Sequence, residues 1–255
     1  MTGGAVLELR DVRIRLGEVE LLSLSATVAP GETLTVMGPS GAGKSSLLAF
    51  IAGFLGAEFT AEGRILLGGR DITALPAHQR RIALMFQDPL LFPHMSVGGN
   101  LMFALPPGGS RRERRETCER RLEEVSLGGF FDRDPATLSG GQRTRAALAR
   151  VLVSEPLALL LDEPFSALDQ ALRAQMRTLV LTRAGAHGLP LVLVTHDPAD
   201  ADAAGGRVVE LAGAGAGAGT DPRSGAAPRL PNQPPAIRRG RFGGLAFRRR
   251  AERPR

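Results

Sequence analysis

Residues 38–45 read Gly38-Pro39-Ser40-Gly41-Ala42-Gly43-Lys44-Ser45, and this glycine-rich stretch decides the fold. The stretch fits the pattern G-x-x-x-x-G-K-[ST]. A strand is predicted before it at 33–37, after a turn at Pro30-Gly31, and residues 44–55 after it have the length and unbroken apolar character of a buried helix. A glycine-rich loop between a strand and a helix predicts a phosphate-binding loop in an α/β fold.

The residue types of this loop suit a nucleoside triphosphate. Glycines let consecutive backbone N–H groups close on phosphate oxygens, and the helix N-terminus adds positive potential. We expect Lys44 to contact the β- and γ-phosphates, Ser45 to bind Mg²⁺ through its hydroxyl, and Ser46 to lie beside the nucleotide. The motif alone leaves kinases, GTPases and many ATPases as alternatives.

A second motif supplies carboxylates. Five apolar residues at 157–161 predict a strand buried on both faces, and Asp162 and Glu163 follow it directly. A phosphate loop needs a carboxylate for Mg²⁺, which we assign to Asp162. Glu163 beside it is a candidate to polarise the attacking water.

A third motif precedes a helix predicted over 143–153, and it reads Leu138-Ser139-Gly140-Gly141-Gln142. It puts a hydroxyl and two glycines at a helix N-terminus, which makes a second anion-binding feature. Two interpretations are open at this point. Either the chain binds two separate nucleotides, or one nucleotide is shared between two chains.

The hydrophobic pattern indicates an α/β sheet interrupted by helices. Further strands are predicted at 12–16, 64–67, 82–86 and 189–194. Between about residues 88 and 150 the pattern changes to a loop and a highly charged, helix-forming segment at 111–127, which we interpret as a helical insert.

Composition excludes several classes of protein. With 43% hydrophobic residues the 255-residue chain is globular, and its longest apolar run, 47–57, falls short of the ~20 residues that a membrane-spanning helix requires. Tyr and Trp are absent, so few rings are available to stack on nucleic-acid bases. Cys118 is the sole cysteine, which excludes an internal disulfide and fits a reducing compartment.

Positive charge is concentrated at the C-terminus. Arginine supplies 31 of the 32 basic residues, and Lys44 is the single lysine. Residues 212–255 hold ten arginines and two acids, whereas residues 1–211 carry 22 basic and 24 acidic residues. Because 212–255 is rich in Gly, Ala and Pro and poor in large apolar groups, we expect a disordered basic tail.

Five motifs in this order resemble the nucleotide-binding subunit of an ATP-binding cassette (ABC) transporter. They are GPSGAGKS at 38–45, LSGGQ at 138–142, LLLDEP at 159–164, SALD at 166–169 and VTHD at 194–197. The resemblance covers about residues 5–211, and LSGGQ distinguishes this family from ordinary P-loop kinases and GTPases. It implies ATP and Mg²⁺ as cofactors.

The resemblance also implies the architecture and a second copy of the chain as partner. The expected fold class is α/β, with a P-loop NTPase (RecA-like) core, an N-terminal antiparallel β subdomain and an inserted α-helical subdomain, about 88–150, that carries LSGGQ. Two subunits pair head to tail in the family, which favours the shared nucleotide. The signature residues of one subunit then cover the γ-phosphate bound by the other, and in this chain these are Ser139, Gly140, Gly141 and Gln142.

Individual roles follow from the resemblance. Gln87 resembles the glutamine that touches Mg²⁺ and the attacking water, and Glu163 resembles the catalytic base. Asp169 resembles the aspartate that crosses the dimer interface, and His196 resembles the histidine that contacts the γ-phosphate.

One position departs from the family pattern. The family commonly has an aromatic residue at the end of the first strand pair to stack on adenine, whereas this chain has Leu16 there and no Phe before Phe50. We therefore expect modest affinity for ATP and weak discrimination against GTP.

Residues 91–100, LFPHMSVGGN, resemble the importer ATPases that serve thiamine, iron(III), polyamine or sulfate uptake. The resemblance implies integral membrane permease subunits as partners and, indirectly, a solute-binding protein. It also implies a peripheral location at the cytoplasmic face of the inner or plasma membrane. Those relatives often carry a C-terminal β-domain, which residues 212–255 are too poor in apolar groups to form.

Three alternative functions remain. The first is an exporter ATPase, the second is a family member acting on nucleic acid or ribosomes, and the third is a P-loop kinase. The second has the arginine-rich tail as its only support, and such proteins usually join two cassettes in one chain, so no specific nucleic acid is expected as a partner. LSGGQ argues against the kinase. Deleting 212–255 separates transport from nucleic-acid binding, because lost RNA or DNA binding favours the second alternative.

Overall fold

The described residues of this chain form two β-sheets. The computed structural model describes residues 4–166 and 168–211, so the predicted tail at 212–255 lies outside the described residues. The two sheets and the helices around them confirm the expected α/β class. The domain boundaries, 5–211 with an insert at about 88–150, stay a prediction.

The first sheet is antiparallel. Two of its strands precede the phosphate loop in the chain and two follow it. It contains β1 (Leu7–Leu16), β2 (Val19–Val28), β4 (Phe59–Leu67) and the short β5 (Arg70–Asp71), in the order β2-β1-β4-β5. Buried and exposed residues alternate along β2, as expected for a sheet with one face on the core. The alternation of β1 is interrupted where its pairing with β2 shifts between Leu9 and Val12.

The second sheet is parallel and holds the functional motifs at its carboxyl edge. It contains β3 (Thr33–Met37), β6 (Ile82–Met85), β7 (Ala158–Asp162), β8 (Leu191–Val194) and β9 (Arg207–Glu210), in the order β6-β7-β8-β3-β9. Strands β7, β8 and β3 are buried along most of their length, which explains the continuous apolar runs of β7 and β8, while β3 buries Thr33 and Thr35 among its apolar residues. The residues that follow β3, β6, β7 and β8 therefore meet at one edge of the sheet.

In the described part of the chain, six α-helices pack around these sheets. Their bounds are α1 (Lys44–Ala52), α2 (Val97–Ala104), α3 (Arg111–Glu124), α4 (Gly140–Val153), α5 (Gln170–Ala186) and α6 (Pro198–Ala204). Helices α2, α3 and α4 pack on one another and share a core that includes Leu101, Cys118 and Leu122. Cys118 is fully buried there, and burial raises the pKa of its thiol above the usual value, so the thiol is unreactive.

Two helices differ in length from their sequence predictions. Helix α1 ends at Ala52 rather than at residue 55, because Gly53 adopts a left-handed conformation with φ 89° and closes the last turn. Helix α4 begins at Gly140 rather than at residue 143. Its N-terminus is fixed by Ser139 and Gln142, which accept each other's backbone N–H groups as a capping box.

A buried arginine anchors the end of α1. The Arg80 guanidinium donates to the carbonyls of Phe50 and Ile51, in the last turn of α1, and to the carbonyls of Thr73 and Leu75. Arg80 therefore holds the helix that begins with the phosphate loop against the segment that leads into β6.

Among the described residues, the structure contains no helix long and apolar enough to cross a membrane.

Candidate nucleotide-binding site

The loop between β3 and α1 has the backbone geometry of an anion-binding turn. Gly38, Gly41 and Gly43 have φ values of 148°, 82° and 84°, in the region that favours glycine. Gly38 is the most restricted of the three, because a Cβ at this position would lie 2.8 Å from the backbone oxygen of Leu211, whereas a Cβ at Gly43 would lie 3.0 Å from Cδ2 of Leu22. Gly43 precedes the first residue of α1, so the unpaired N–H groups of the helix face the loop.

Lys44 holds the loop closed from inside. Its side chain is buried, with 8% of the residue exposed, and Nζ donates to the carbonyls of Gly38 and Pro39 at 2.8 Å each. An ammonium group has three N–H donors, so two are engaged by the loop itself and one remains for a further acceptor. Ser45 and Ser46 follow in the first turn of α1.

Asp162 ends β7 opposite the start of α1. The pKa of its carboxyl is raised above the usual value, chiefly by burial and also by the negative charge of Glu163, while a hydrogen bond with Ser45 and the positive charge of Lys44 oppose the shift. A hydroxyl and a carboxylate in contact are hard oxygen donors suited to a divalent cation such as Mg²⁺. Among the described residues, no cluster of three or more His, Cys, Asp or Glu side chains makes a metal site. A cation here would need further oxygens from a ligand.

Glu163 and His196 form a pair at the same edge. Oε2 of Glu163 lies 3.2 Å from Nδ1 of His196, and the His196 side chain is 62% exposed. Glu163 has a positive φ of 45°, and its backbone N–H donates to the carbonyl of Val194 at the end of β8. The strained backbone directs this carboxylate to the edge of the sheet, where a water molecule has access to it.

The signature segment lies at the N-terminus of α4. Ser139 is exposed, and Gly140 has open space around the position of a Cβ. Gly141 is different, because it is buried and packs against the side chain of Leu172 in α5. The exposed part of the segment is therefore Ser139 and Gly140, with the dipole of a 14-residue helix behind them.

Gln87, Asp169 and Leu16 are accessible at the surface, whereas Ala42 of the phosphate loop is fully buried. Gln87 follows β6 and is exposed. Asp169 precedes α5, and its Oδ1 accepts the N–H of Leu172 at 3.0 Å. Leu16 is the last residue of β1 and is 37% exposed, so its side chain is available to a ligand.

The structure adds two residues that sequence reasoning did not assign. Arg150, near the end of α4, donates to the carbonyls of Pro89 and Leu90. These hydrogen bonds connect α4 to the segment after Gln87. Asn100 is fully buried and donates to the carbonyls of Phe92, Met95 and Ser96. Asn100 belongs to the motif LFPHMSVGGN, but its hydrogen bonds depend on a loop conformation that the sequence motif does not specify.

Comparisons with known proteins agree with this geometry. A family model described as ABC transporter matches residues 21–166. The chain is 47% identical over 199 residues to the uncharacterized ABC transporter ATP-binding protein YnjD of Escherichia coli strain K12, covering 78% of this chain and 92% of that protein. It is 45% identical over 208 residues to the thiamine import ATP-binding protein ThiQ of Ruegeria sp. strain TM1040, covering 81% and 88%.

Two further similarities differ in coverage. The Fe(3+) ions import ATP-binding protein FbpC 1 of Rhizobium meliloti strain 1021 is 46% identical over 189 residues, which span 74% of this chain and 53% of that protein. The dimeric structure of MJ0796, a bacterial ABC transporter cassette, superposes with a TM-score of 0.68 at 30% identity, covering 81% of this chain and 94% of that chain. The chain therefore belongs to the ABC transporter family, among its ATP-binding subunits.

Proposed function

We propose that this chain is the ATP-hydrolysing subunit of an ABC importer of a small solute. The observation that carries the proposal is the arrangement of Lys44, Asp162 and the Glu163–His196 pair at one edge of the parallel sheet. Import is supported by the names of relatives, which include thiamine and Fe(3+) import ATP-binding proteins. Specificity for the solute would reside in the membrane and solute-binding partners.

The site residues divide the work of hydrolysis. The loop N–H groups and the free donor of Lys44 would neutralise the β- and γ-phosphates, and Ser45 and Asp162 would hold Mg²⁺ together with the phosphates. Mg²⁺, when bound, supplies positive charge against the phosphate oxygens. Glu163 would accept a proton from the attacking water, and His196 would orient Glu163 and contact the γ-phosphate. Gln87 would contact Mg²⁺ and the same water.

The exposed signature segment favours one nucleotide shared between two copies of the chain. Ser139 and Gly140 present a hydroxyl, the N-terminus of a 14-residue helix and open space, which suits a γ-phosphate delivered by a second subunit. Asp169 is exposed and would cross to the partner copy. ATP would then close a head-to-tail dimer, and hydrolysis would reopen it.

Exposed aromatic side chains near Gln87 provide a surface for permease subunits. Phe54 and Phe86 pair with ring centroids 6.2 Å apart, and Phe92 and Phe103 pair at 5.1 Å. Phe103 is 67% exposed, which is unusual for a large apolar ring. Through this contact the subunit would lie peripherally at the cytoplasmic face of the membrane, and a solute-binding protein would act on the permease from the other side.

Purification from membranes tests the proposal as a whole. The subunit should carry an integral membrane protein with it, and the complex should release inorganic phosphate from ATP. Transfer of the γ-phosphate to an acceptor without phosphate release would contradict the assigned reaction and favour a kinase.

The aromatic surface gives the first prediction. Phe103→Asp should reduce recovery of the permease with the subunit, because a carboxylate replaces a ring in an apolar contact. ATP hydrolysis by the isolated subunit should be unchanged, since Phe103 lies outside the nucleotide site. Val208→Asp, which changes an exposed apolar residue on β9, is the control. Equal permease recovery with both variants would contradict the docking surface.

The second prediction concerns Leu16. Leu16→Tyr should tighten ATP binding by about 1 to 3 kcal/mol, because stacking of a base on an aromatic ring is worth that much. The dissociation constants for ATP and GTP are measured by equilibrium titration, with Val208→Tyr as a control that adds the same ring elsewhere. An unchanged dissociation constant for ATP in Leu16→Tyr would refute the adenine contact.

A further inference from the structure

The Glu163–His196 pair is part of a closed ring of contacts. The backbone N–H and Oγ of Ser166 both donate to the carbonyl of Glu163, at 3.3 and 2.9 Å. Arg173 in turn donates through Nη2 to the carbonyl of Ser166 at 3.3 Å and through Nη1 to Oδ2 of Asp197 at 2.6 Å. Asp197 directly follows His196 in the chain, and His196 closes the ring on Glu163.

The Asp197 side of the ring is firmly held. Asp197 accepts the N–H of Ala199 at 2.9 Å and donates its own N–H to the Thr195 hydroxyl at 3.1 Å. These contacts fix the backbone on both sides of His196. The hydrogen bond from Ala199 and the Arg173 guanidinium hold the pKa of Asp197 below its usual value, so the ion pair with Arg173 is complete at neutral pH.

A second arginine one turn along α5 reinforces this arrangement. Arg177 donates to Oδ1 of Asp200 at 2.9 Å, and Oδ2 of the buried Asp200 accepts the Thr195 hydroxyl at 3.1 Å. Two arginines of α5 thus reach the short segment 195–200, at Asp197 and at Asp200, both of which follow His196 in the chain. The segment after β8 is positioned by α5, not by the sheet alone.

We infer that Arg173 is a positioning residue that couples the SALD segment, 166–169, to the Glu163–His196 pair. The inference rests on the roles proposed above for Glu163, His196 and Asp169. Arg173 stands one helical turn after Asp169, whose carbonyl accepts its backbone N–H at 2.8 Å. A shift of Asp169 on contact with a second subunit would therefore move the guanidinium that holds Asp197 and Ser166.

The chemistry of the guanidinium explains why an arginine is suited to this position. A planar fork reaches a carboxylate with one nitrogen and a carbonyl with the other, in fixed relative orientation. The side chains of Arg173 and Asp197 are each 26% exposed, so their ion pair is partly shielded from competing water. Lysine carries all its donors on one nitrogen, so it cannot hold the carboxylate and the carbonyl in the same fixed relative orientation.

Enzyme kinetics of single variants test the inference. Arg173→Lys and Asp197→Asn should each lower kcat about 10- to 100-fold at an almost unchanged KM, as expected for misplacement of catalytic groups. The affinity for ATP and the thermal unfolding midpoint of Arg173→Lys should stay close to native. Arg183→Lys, on the same helix but bound to the carbonyl of Glu124, is the control and should have native kcat.

ATP affinity and thermal stability, measured beside kcat, separate positioning from simple structural support. A fall in ATP affinity and stability that parallels the fall in kcat would overturn the inference in favour of a structural role. Native kcat in Arg173→Lys while Glu163→Gln is inactive would overturn the inference alone. Native turnover in Glu163→Gln would contradict the proposed site itself.

Discussion

Glu163→Gln is expected to bind ATP with near-native affinity while phosphate release falls by about 100- to 10,000-fold, the range that general-base catalysis contributes. The amide has the size of the carboxylate and can still contact His196, so the site should keep its shape. It cannot accept a proton from water. Because reopening depends on hydrolysis, the ATP-bound dimer should accumulate, which light scattering after size exclusion measures.

The control for this variant is Glu62→Gln, which removes the same charge from an exposed position on β4. The control should hydrolyse ATP at the native rate and remain in the native monomer–dimer equilibrium. Native turnover by Glu163→Gln would refute the assigned base. An inactive variant that binds ATP yet stays monomeric would instead favour two independent nucleotide sites over one shared site.

The sequence alone predicted the elements whose structure is determined by residues close together in the chain. Strand β3 was predicted with its observed bounds, 33–37, because the Pro30-Gly31 turn marks its start and the glycine-rich loop marks its end. The phosphate loop was predictable because only glycine tolerates the backbone at Gly43, and because the helix after the loop is unbroken. The family resemblance is shown by the comparisons, whereas the individual site roles remain proposals.

Other features depend on contacts that spacing does not encode. The start of α4 was predicted three residues late, because two glycines have low helix propensity and the capping box of Ser139 and Gln142 outweighs it. Strand β9 was not predicted, since its four residues gain their conformation from pairing with β3. The Arg173–Asp197 pair joins residues 24 positions apart, and only the packing of α5 against the edge of the sheet brings them together.

The burial of Lys44 suggests why this position is lysine in a chain that otherwise uses arginine for positive charge. Arginine occupies 31 of 32 basic positions, so wherever a positive charge needs only solvation or a pairing partner, the chain uses arginine. Lys44 is the exception, and its ammonium lies 2.8 Å from two carbonyls of its own loop. The space enclosed by the loop fits a compact group with three donors.

Lys44→Arg should therefore lower ATP hydrolysis by about 100-fold or more, comparable to the loss of a transition-state hydrogen-bond donor. The planar guanidinium is too wide for the loop and too rigidly forked to reach both carbonyls and a phosphate together. Phosphate release and ATP affinity are measured beside Arg64→Lys, the reverse exchange at an exposed position on β4, which should leave both unchanged. Because Lys44 lies at the first turn of α1, thermal unfolding of Lys44→Arg must also be recorded. Turnover near the native rate in a folded Lys44→Arg protein would mean that positive charge alone, and not the geometry of the ammonium, is what the loop requires.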